Sequence, residues 1–579
     1  MSKFTITFYI KLLVLLLVSV LYVNRALNDF KEPYIEGDGF EYALLTESIY
    51  NHGSPDFQKQ DFESFRLDLG KYHNMDNFPK YPYLNGFKDL SDDKKFEFKT
   101  GYGGYFLAKN QKFYAIHFFT YSLVSLPAKV ICKFANLSPI TVFHLTNAFF
   151  IIIVCALLLF YNIKNIYVGF FSVISFCFGV NYWYLGWEHT EIFTTCVVAI
   201  SLILFFRGNK LWSLFVLAIA VTQTQTLLIL LGALGVVILI ENKINFKLLL
   251  KLASIYCIAF IPPLFYYYHF GTTSLIKDMG FMDHQCITVN RFFGFYFDLN
   301  QGMILGLPLI LPAYIISLFC FALTKFRDWR NLIKHLALPV SVVIITVISS
   351  SMTNWNPGQT IVHRYTTWLG AVVFIHFLEL LRFNGEKWKL VLLNTSALVQ
   401  IFICFYFQKI NNFEWEASGH KDIAAWVLKY DPDLYNPDPT IFAVRTAQQY
   451  DLFNQTAPIF YFDNDHNLKK VLFHKKNIAA LNYFGLNPSE EQRLFSYPDN
   501  YGWAYLKEVD HKKLRPSGEL YAIVRAEKVK AARFKIQSSD PFMAQEKQKA
   551  IEWKMTLDQV LDMDAEYLVA EEEKRLKNR

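Results

Sequence analysis

Long apolar stretches recur through roughly the first 410 positions of this 579-residue chain, and they constrain its fold more than any other feature. Many of them are about 18 residues or longer, which is enough for a helix to cross a bilayer. Hydrophobic residues make up 53% of the chain, a share that argues against an ordinary soluble globular protein. The sequence therefore predicts a polytopic α-helical membrane protein with about eleven transmembrane helices. The predicted spans are 5–24, 140–161, 166–184, 190–206, 211–224, 226–240, 249–269, 302–323, 333–350, 366–381 and 388–407.

The chain becomes polar and mixed in charge after the last apolar stretch, so we predict two domains. Residues 1–407 form the transmembrane domain, and residues 25–139 within it form a large extracytoplasmic first loop with interfacial helices. Residues 408–579 form a soluble α+β domain. The apolar start at 5–24 lacks a small-residue cleavage site and is predicted to remain as a signal anchor.

Turn and pattern signals give a coarse reading of the polar regions. In the first loop, Gly101–Tyr114 reads as a hairpin that turns at Lys109–Asn110, and Ala115–Cys132 reads as one interfacial helix. In the C-terminal domain, helical sequence is expected from Pro541 onward. Strands are predicted there at Thr440–Val444, Pro458–Phe462 and Leu520–Val524.

The net charge of +7 is explained by topology and does not indicate a nucleic-acid partner. Basic residues concentrate in alternate loops, which the positive-inside rule places in the cytoplasm. This places the N-terminus inside and, after an odd number of crossings, the C-terminal domain outside. The loop residues are Lys164, Arg207, Lys210, Lys243, Lys247, Lys325, Arg327, Arg330, Lys334, Arg382, Lys387 and Lys389.

The remaining ionisable residues gather on the predicted outer face, whereas the apolar interiors carry few, Lys11 being the clearest. Charge at one face favours interfacial chemistry over ion-coupled transport, which uses groups near the midplane. Transfer of a sugar from a lipid phosphate needs a carboxylate to take a proton, cations for the phosphate and an apolar groove. The candidate residues are Asp38, Glu41, Glu188, His189, Glu191, Lys277, His284, Arg291, His363 and Arg364.

Each candidate also has a structural interpretation. Asp38 and Glu41 have the spacing of a capping box, which explains them as well as catalysis does. Acidic residues at a helix start, such as Glu188, favour the helix dipole, and Arg364 can hold a helix at the headgroups. The His and Glu residues lack a paired metal-ligand spacing. We therefore predict no metal site and no required cofactor, and the need for a divalent ion stays open.

Three stretches resemble the GT-C class of membrane glycosyltransferases, closest to the bacterial relatives of protein O-mannosyltransferases and lipid A aminoarabinose transferases. Gly37–Ile49 is similar to the acidic first-loop motif of that class. Pro263–Gly271, continued by Phe297–Pro308, resembles a span that ends near Phe-Gly and a loop that re-enters through an Asp- and Pro-containing turn. Trp355–Tyr365 resembles the late Gly-containing loop that ends in Arg-Tyr. With the predicted topology, the resemblance covers about residues 1–407.

The resemblance implies a catalytic carboxylate at Asp38 and a donor-phosphate site at Arg364, which Lys277 and Arg291 are expected to support. It implies a polyprenyl-phosphate-linked sugar as donor, a glycan, lipid or protein as acceptor, and a multi-pass location in the cell inner membrane among membrane lipids. The residues expected to contact substrate are Glu41, Glu188, His189, His363 and Tyr365.

Three functions remain open from the sequence. The first is a glycosyltransferase that moves a sugar from a polyprenyl-phosphate donor to an acceptor at the outer face of the cytoplasmic membrane. The second is a polymerase or ligase of lipid-linked glycans, in which arginines rather than a carboxylate dominate. The third is a non-enzymatic lipid flippase or a membrane scaffold that displays the C-terminal domain, and a scaffold has no need for the charged outer cluster.

Overall fold

A computed structural model shows a mostly helical chain. The described residues are 3–28, 38–72, 104–162, 165–325, 328–353, 362–381, 387–410, 419–449, 452, 456–463, 468–477, 502–505, parts of 525–537, and 540–577. The predicted strand at Leu520–Val524 and most of the motif Trp355–Tyr365 lie outside these residues.

The described α-helices range from 4 to 26 residues in length. In chain order within the described ranges they are α1 (Lys3–Asn28), α2 (Asp38–His52), α3 (Lys59–Gly70), α4 (Thr120–Val124), α5 (Leu126–Phe134), α6 (Thr141–Ala156), α7 (Ile166–Cys177), α8 (Glu191–Phe206), α9 (Lys210–Gln223), α10 (Leu228–Glu241), α11 (Phe246–Ala259), α12 (Ile261–Phe270), α13 (Leu275–Asp278), α14 (Val289–Phe297), α15 (Met303–Gly306), α16 (Ile310–Lys325), α17 (Trp329–Ser350), α18 (Arg364–Leu381), α19 (Lys387–Ile410), α20 (Asp422–Tyr430), α21 (Pro439–Ala447), α22 (Asp540–Trp553) and α23 (Leu557–Lys577). A π-helical turn follows α6 at Leu157–Asn162, and short 3₁₀ helices occupy Val180–Tyr184, Gln225–Leu227, His284–Cys286, Pro432–Leu434 and Lys475–Asn477.

Several helices have the length and composition of membrane spans. Four of those described are long and apolar enough to cross a membrane, and the bent pair α11–α12, which turns by 47°, makes a fifth if it is one span. The four are Ile6–Asn28, Thr141–Phe160, Trp329–Ser350 and Lys387–Tyr406. Shorter apolar helices are Ile166–Cys177, Glu191–Phe206, Lys210–Gln223, Gln225–Glu241 and Ile310–Thr324. These features fit a helical membrane protein, while the number of about eleven crossings stays a prediction.

The chain divides into two compact units, one of residues 1–287 and 291–415 and one of residues 288–290 and 416–579. In the first unit, α8 lies at the centre and packs against both α9 and α18. Almost every side chain of α8 and α18 is buried, because both helices are apolar on all sides. The functional candidates Glu191 and Arg364 are the first residues of these two helices.

The segment between α1 and α6 contains edge-to-face aromatic contacts of Tyr105 with Phe40 and Phe57. Strands β1 (Tyr105–Leu107) and β2 (Phe113–Ala115) pair antiparallel, which confirms the predicted hairpin. The prediction of one interfacial helix over Ala115–Cys132 is wrong, because β2 occupies its start and the remainder splits into α4 and α5. Pro127 at the start of α5 cannot donate a helical hydrogen bond to the preceding turn, so a new helix begins there.

The second unit contains an antiparallel sheet in the order β3 (Ile459–Phe462), β4 (Leu468–His474) and β5 (Trp503–Tyr505). The predicted strand at Pro458–Phe462 is confirmed, and so are the helices after Pro541.

The predicted strand at Thr440–Val444 is wrong, because these residues belong to α21. The carboxylate of Asp438 accepts a hydrogen bond from the backbone N–H of Thr440 at 2.9 Å, and Pro439 fills the first helical position. These helix-start signals outweigh the strand preference of a short run of branched residues.

Candidate active site

The first residue of α2 meets the first residue of α18 across 326 positions of sequence. Arg364 Nη1 donates to Asp38 Oδ2 at 3.2 Å. The Asp38 side chain keeps 31% of its surface exposed, whereas the arginine side chain is 13% exposed. The Asp38 carboxylate therefore faces the start of another helix and contacts a cation there.

Two imidazoles approach the same carboxylate oxygen. His117 Nε2 lies 3.9 Å from Asp38 Oδ2, and His189 Nδ1 lies 3.8 Å from it. The His189 ring stacks on Trp187 with centroids 4.0 Å apart and planes 9° apart, which fixes its orientation. Trp187 thus holds the imidazole of a predicted site residue in place.

The surrounding charges hold the Asp38 carboxyl in its ionised form. Burial acts to raise the pKa of this group, because a charge is poorly solvated there. The positive charges of His117, Arg364 and His189 outweigh burial and hold the pKa well below its ordinary value. Asp38 is therefore a carboxylate at neutral pH, and its basicity depends on which cations remain beside it.

Glu41, one turn further along α2, binds His117 through both of its oxygens. Its Oε1 accepts from the His117 backbone N–H at 2.7 Å, and its Oε2 lies 3.1 Å from His117 Nδ1. Burial acts to lower the pKa of His117, but the carboxylates of Glu41 and Asp38 outweigh it and raise the pKa to about 9. Burial also raises the pKa of Glu41, against the opposing charge of His117. The contacts of Glu41 join two segments and differ from those of a capping box.

The guanidinium of Arg364 is shared between Asp38 and its own neighbour. Nη2 donates to the Tyr365 hydroxyl at 3.0 Å, and the guanidinium lies 4.9 Å from the centre of the Tyr365 ring. Arg364 Nε is buried without a hydrogen-bond partner among the described residues. The Oε2 atom of Glu191 is also buried and has no such partner in the described parts of the chain. A donor and an acceptor therefore remain available beside the Asp38–Arg364 pair.

A tyrosine and a glutamine hold α2 against the start of the bundle. The ring of Tyr42 lies 5.6 Å from that of His117 and 6.3 Å from that of His189. Gln223 at the end of α9 donates to the Tyr42 hydroxyl at 3.2 Å and accepts from the backbone of Tyr121 at 2.8 Å. These contacts hold the Tyr42 side chain in place between the imidazoles of His117 and His189.

Three of the predicted site residues have other contacts. The Glu188 carboxylate lies 3.3 Å from His144 Nε2, so it turns toward α6. Arg291 is fully buried and donates through Nη1 to the backbone oxygens of Ser350 at 2.9 Å and Met352 at 2.7 Å. The His363 imidazole accepts from the Tyr365 backbone N–H at 3.2 Å through Nδ1.

Two further candidates from the same predicted loop are on the surface. Lys277 is exposed on α13, and the side chain of His284 is 89% exposed. Their predicted roles toward a donor phosphate or a sugar stay predictions.

Sequence reasoning did not select His117 or Tyr42 as site residues, and it named Glu191 only as part of a cluster. His117 lies within Ala115–Cys132, which the sequence predicts to be an interfacial helix, and it is 76 positions from Glu41, so no local signal in the sequence joins the two. Glu191 and Glu188 are close in sequence, and only the fold shows that the charges of Arg364 and Asp38 act on Glu191.

The arrangement places a carboxylate beside a guanidinium, two imidazoles and a second carboxyl group at the end of an apolar bundle. Such a set can hold an anion, accept a proton and orient a hydroxyl. Comparison with protein-family models, with curated proteins and with solved structures found no match to this chain.

Proposed function

We propose that this chain is a membrane glycosyltransferase of the GT-C class that moves a sugar from a polyprenyl-phosphate donor to a glycan, lipid or protein acceptor. The reaction takes place at the outer face of the cell inner membrane, with the N-terminus in the cytoplasm and the C-terminal domain outside. The apolar helices, compatible with a bilayer, support a lipid-linked donor. The polar cluster around Asp38 and Arg364 supports the chemistry of sugar transfer.

The observation that carries this proposal is the contact between Asp38 and Arg364. Asp38 takes the proton of the acceptor as the acceptor atom bonds to the anomeric carbon. The bond between that carbon and the phosphate oxygen breaks, and the released polyprenyl phosphate keeps the bonding electrons. Arg364 neutralises the phosphate, and attack opposite the leaving group inverts the configuration at carbon.

Donor binding also changes the basicity of Asp38. Arg364 pairs with Asp38 and lowers its pKa, which makes the carboxylate a weak base. A donor phosphate competes for the same guanidinium, and Arg364 Nε, which has no hydrogen-bond partner among the described residues, gives it a second donor. As the guanidinium turns toward phosphate, the pKa of Asp38 rises and its capacity to accept a proton improves.

Replacement of the carboxylate tests the proposal. The assay incubates the purified chain in detergent with a panel of polyprenyl-phosphate monosaccharides and a panel of glycan, lipid and protein acceptors, and it follows release of polyprenyl phosphate. Asp38→Asn should lower the rate at least about 100-fold, because general-base catalysis contributes roughly that much or more. Asp278→Asn, at an exposed position of α13, is the matched control and should keep the native rate.

Size-exclusion profiles identical to the native protein would show that the Asp38→Asn variant is folded. A folded Asp38→Asn variant that still releases polyprenyl phosphate at the native rate excludes Asp38 as the base. If Arg364→Ala loses release while Asp38→Asn keeps it, the arginine-dominated chemistry of a glycan polymerase or ligase replaces this proposal.

A further inference from the structure

The C-terminal unit exposes a row of large apolar side chains on α20. Ile423, Trp426 and Tyr430 follow one another at spacings of three and four residues, so they lie on one side of the helix. They are 50%, 62% and 63% exposed. Leu434, in the 3₁₀ turn that follows α20, is 77% exposed. These four side chains form what we call the α20 patch.

The opposite side of α20 is held by the core of its own unit. Ala424 and Leu428 are fully buried, and the helix packs against β4. The burial of these two side chains fixes which side of α20 faces outward. The α20 patch therefore keeps its apolar surface exposed in the folded unit, where contact with water costs free energy that an apolar partner would recover.

The residue types of the patch fit the boundary between lipid headgroups and acyl chains. Tryptophan and tyrosine join an apolar ring to one polar group, and both are enriched at that depth of a membrane. Lys429 lies beside the patch, with its Nζ 5.7 Å from the centre of the Tyr430 ring. A lysine at this place can extend its amine to the lipid phosphates while its stem stays in apolar surroundings.

The size of the patch also favours a membrane over a second copy of the chain. The nine residues of α20 make a helix about 14 Å long and about 10 Å wide. A stable protein interface buries roughly 800 Å² on each partner, which is more than one face of such a helix supplies. A bilayer needs no matching surface, because it is fluid and covers a patch of any outline.

The chain itself keeps α20 near a bilayer. α19 contains one of the described segments that are long and apolar enough to cross a membrane, Lys387–Tyr406. Eleven residues separate Ile410, the last residue of α19, from Asp422, the first of α20. A link of this length spans at most about 40 Å when fully extended, which is about the thickness of one bilayer with its headgroups.

We propose that the α20 patch inserts into the surface of the bilayer that α19 crosses and anchors the C-terminal unit there. The rings of Trp426 and Tyr430 lie at the headgroup level, and Ile423 and Leu434 enter the adjoining acyl region. Ala424 and Leu428 keep their places in the core, so the anchor needs no rearrangement of the unit. The anchor is independent of sugar transfer and of the side of the membrane on which α19 ends.

Fluorescence of Trp426 in lipid nanodiscs tests the anchor. The full-length chain is reconstituted into phosphatidylcholine discs, with or without bromine on the upper acyl chains, and the spectrum of Trp426→Phe is subtracted from that of the native chain. Brominated chains quench a tryptophan only at close range. We expect brominated lipid to quench Trp426 and the bilayer to protect it from acrylamide in the water.

A charge placed in the patch should reverse both results. In Leu434→Glu, measured against the same chain with Trp426→Phe, the carboxylate opposes insertion, so bromine quenching should fall and acrylamide quenching should rise. Ile551→Glu, at a position of α22 that is 74% exposed, is the matched control and should leave the quenching of Trp426 unchanged.

Two results would overturn the anchor. Quenching of native Trp426 by acrylamide and not by brominated lipid would show that the patch faces water. Protection from both quenchers would show that protein covers it, from a second copy or another part of the chain. The conservative Trp426→Phe variant is sufficient for these decisions, so they stand even if Leu434→Glu fails to fold. Release of polyprenyl phosphate is measured separately, and either proposal can fail without the other.

Discussion

The two ends of α2 both carry buried acidic residues, but their surroundings differ. Glu47, toward the C-terminal end, is fully satisfied: Lys129 donates to Oε2 and Ser64 donates to Oε1 at 2.5 Å. Lys129 Nζ also lies 3.8 Å from Asp68. At the N-terminal end, several charges surround Asp38, and buried polar atoms of Glu191 and Arg364 have no partner in the described parts of the chain.

The difference separates a structural ion pair from a site. A buried pair whose hydrogen bonds are all made holds helices together and has no capacity left for a ligand. Buried polar atoms without partners cost free energy unless a substrate or ion completes them. Glu47 and Lys129 join α2 to α5, and this contact sets the position from which the other end of α2 presents Asp38.

Loss of Lys129 should produce the largest change in stability. Lys129→Met leaves Glu47 buried and charged without its cation, so we expect the free energy of unfolding to fall by about 3–5 kcal/mol. Thermal or denaturant unfolding of the purified chain in detergent measures it. Lys59→Met, at an exposed position of α3, should change stability by less than about 1 kcal/mol.

A second substitution decides whether the lost stability comes from the unpaired charge. Glu47→Gln combined with Lys129→Met removes both charges, and the oxygen of the new side-chain amide can still accept a hydrogen bond from Ser64. We expect most of the stability to return, because a buried pair replaced by apolar or neutral groups is often near neutral. A Lys129→Met chain as stable as the native chain would show that the ion pair does not hold α2 in place.

The N-terminal end of α2 should make stability depend on pH. The pKa of His117 is raised from 6.5 to about 9, so the protonated ring favours the folded state. This stabilisation is fully present below about pH 6.5 and is lost as the pH rises toward 9. Its size is about 3 kcal/mol, since one pKa unit corresponds to about 1.4 kcal/mol.

Unfolding of chelator-treated protein at several pH values measures this dependence. His117→Gln should lose the decline in stability between pH 6.5 and 9, and Glu41→Gln should reduce it, because Glu41 supplies much of the opposing charge. His284→Gln removes an exposed imidazole and is the control. If the stability of the His117→Gln chain still falls between pH 6.5 and 9 as in the native chain, a group other than His117 is titrating.

The sequence was sufficient for the broad architecture, because apolar helices and hairpins have local signals. The pattern over Gly101–Tyr114 predicted the hairpin, and each predicted apolar segment overlaps a described helix. Prediction from the sequence failed where two local signals compete. The run Thr440–Val444 has strand-forming residues, but Asp438 and Pro439 start a helix just before them.

The sequence could identify single site residues but could not give their contacts. Asp38 and Arg364 were selected independently from motifs 326 positions apart, and their ion pair depends on how α2 packs against the bundle. The same limit explains Glu188, which has the residue type of a site group but turns toward His144. Which of two nearby carboxylates faces a site depends on the rotation of a helix start, and this is decided by packing.

The smallest expected effects on stability come from two glycines. Gly104 lies beside Glu41 near the N-terminal end of α2, and Gly53 follows its C-terminal end. Gly104 has φ +92°, and a Cβ there would lie 2.7 Å from Glu41 Oε2, whereas Gly53 has φ +70° and a Cβ there would meet nothing within 4 Å. Each glycine-to-alanine substitution imposes backbone strain of about 1–2 kcal/mol. Gly104→Ala should cost about 1 kcal/mol more, because it also displaces Glu41 from His117. It should also weaken the pH dependence of unfolding, which Gly53→Ala should preserve. If the two variants lose the same free energy of unfolding and keep the same pH profile, the contact between Glu41 and His117 contributes little to the folded state. The contrast between the two ends of α2 would then rest on Asp38 and Arg364 alone.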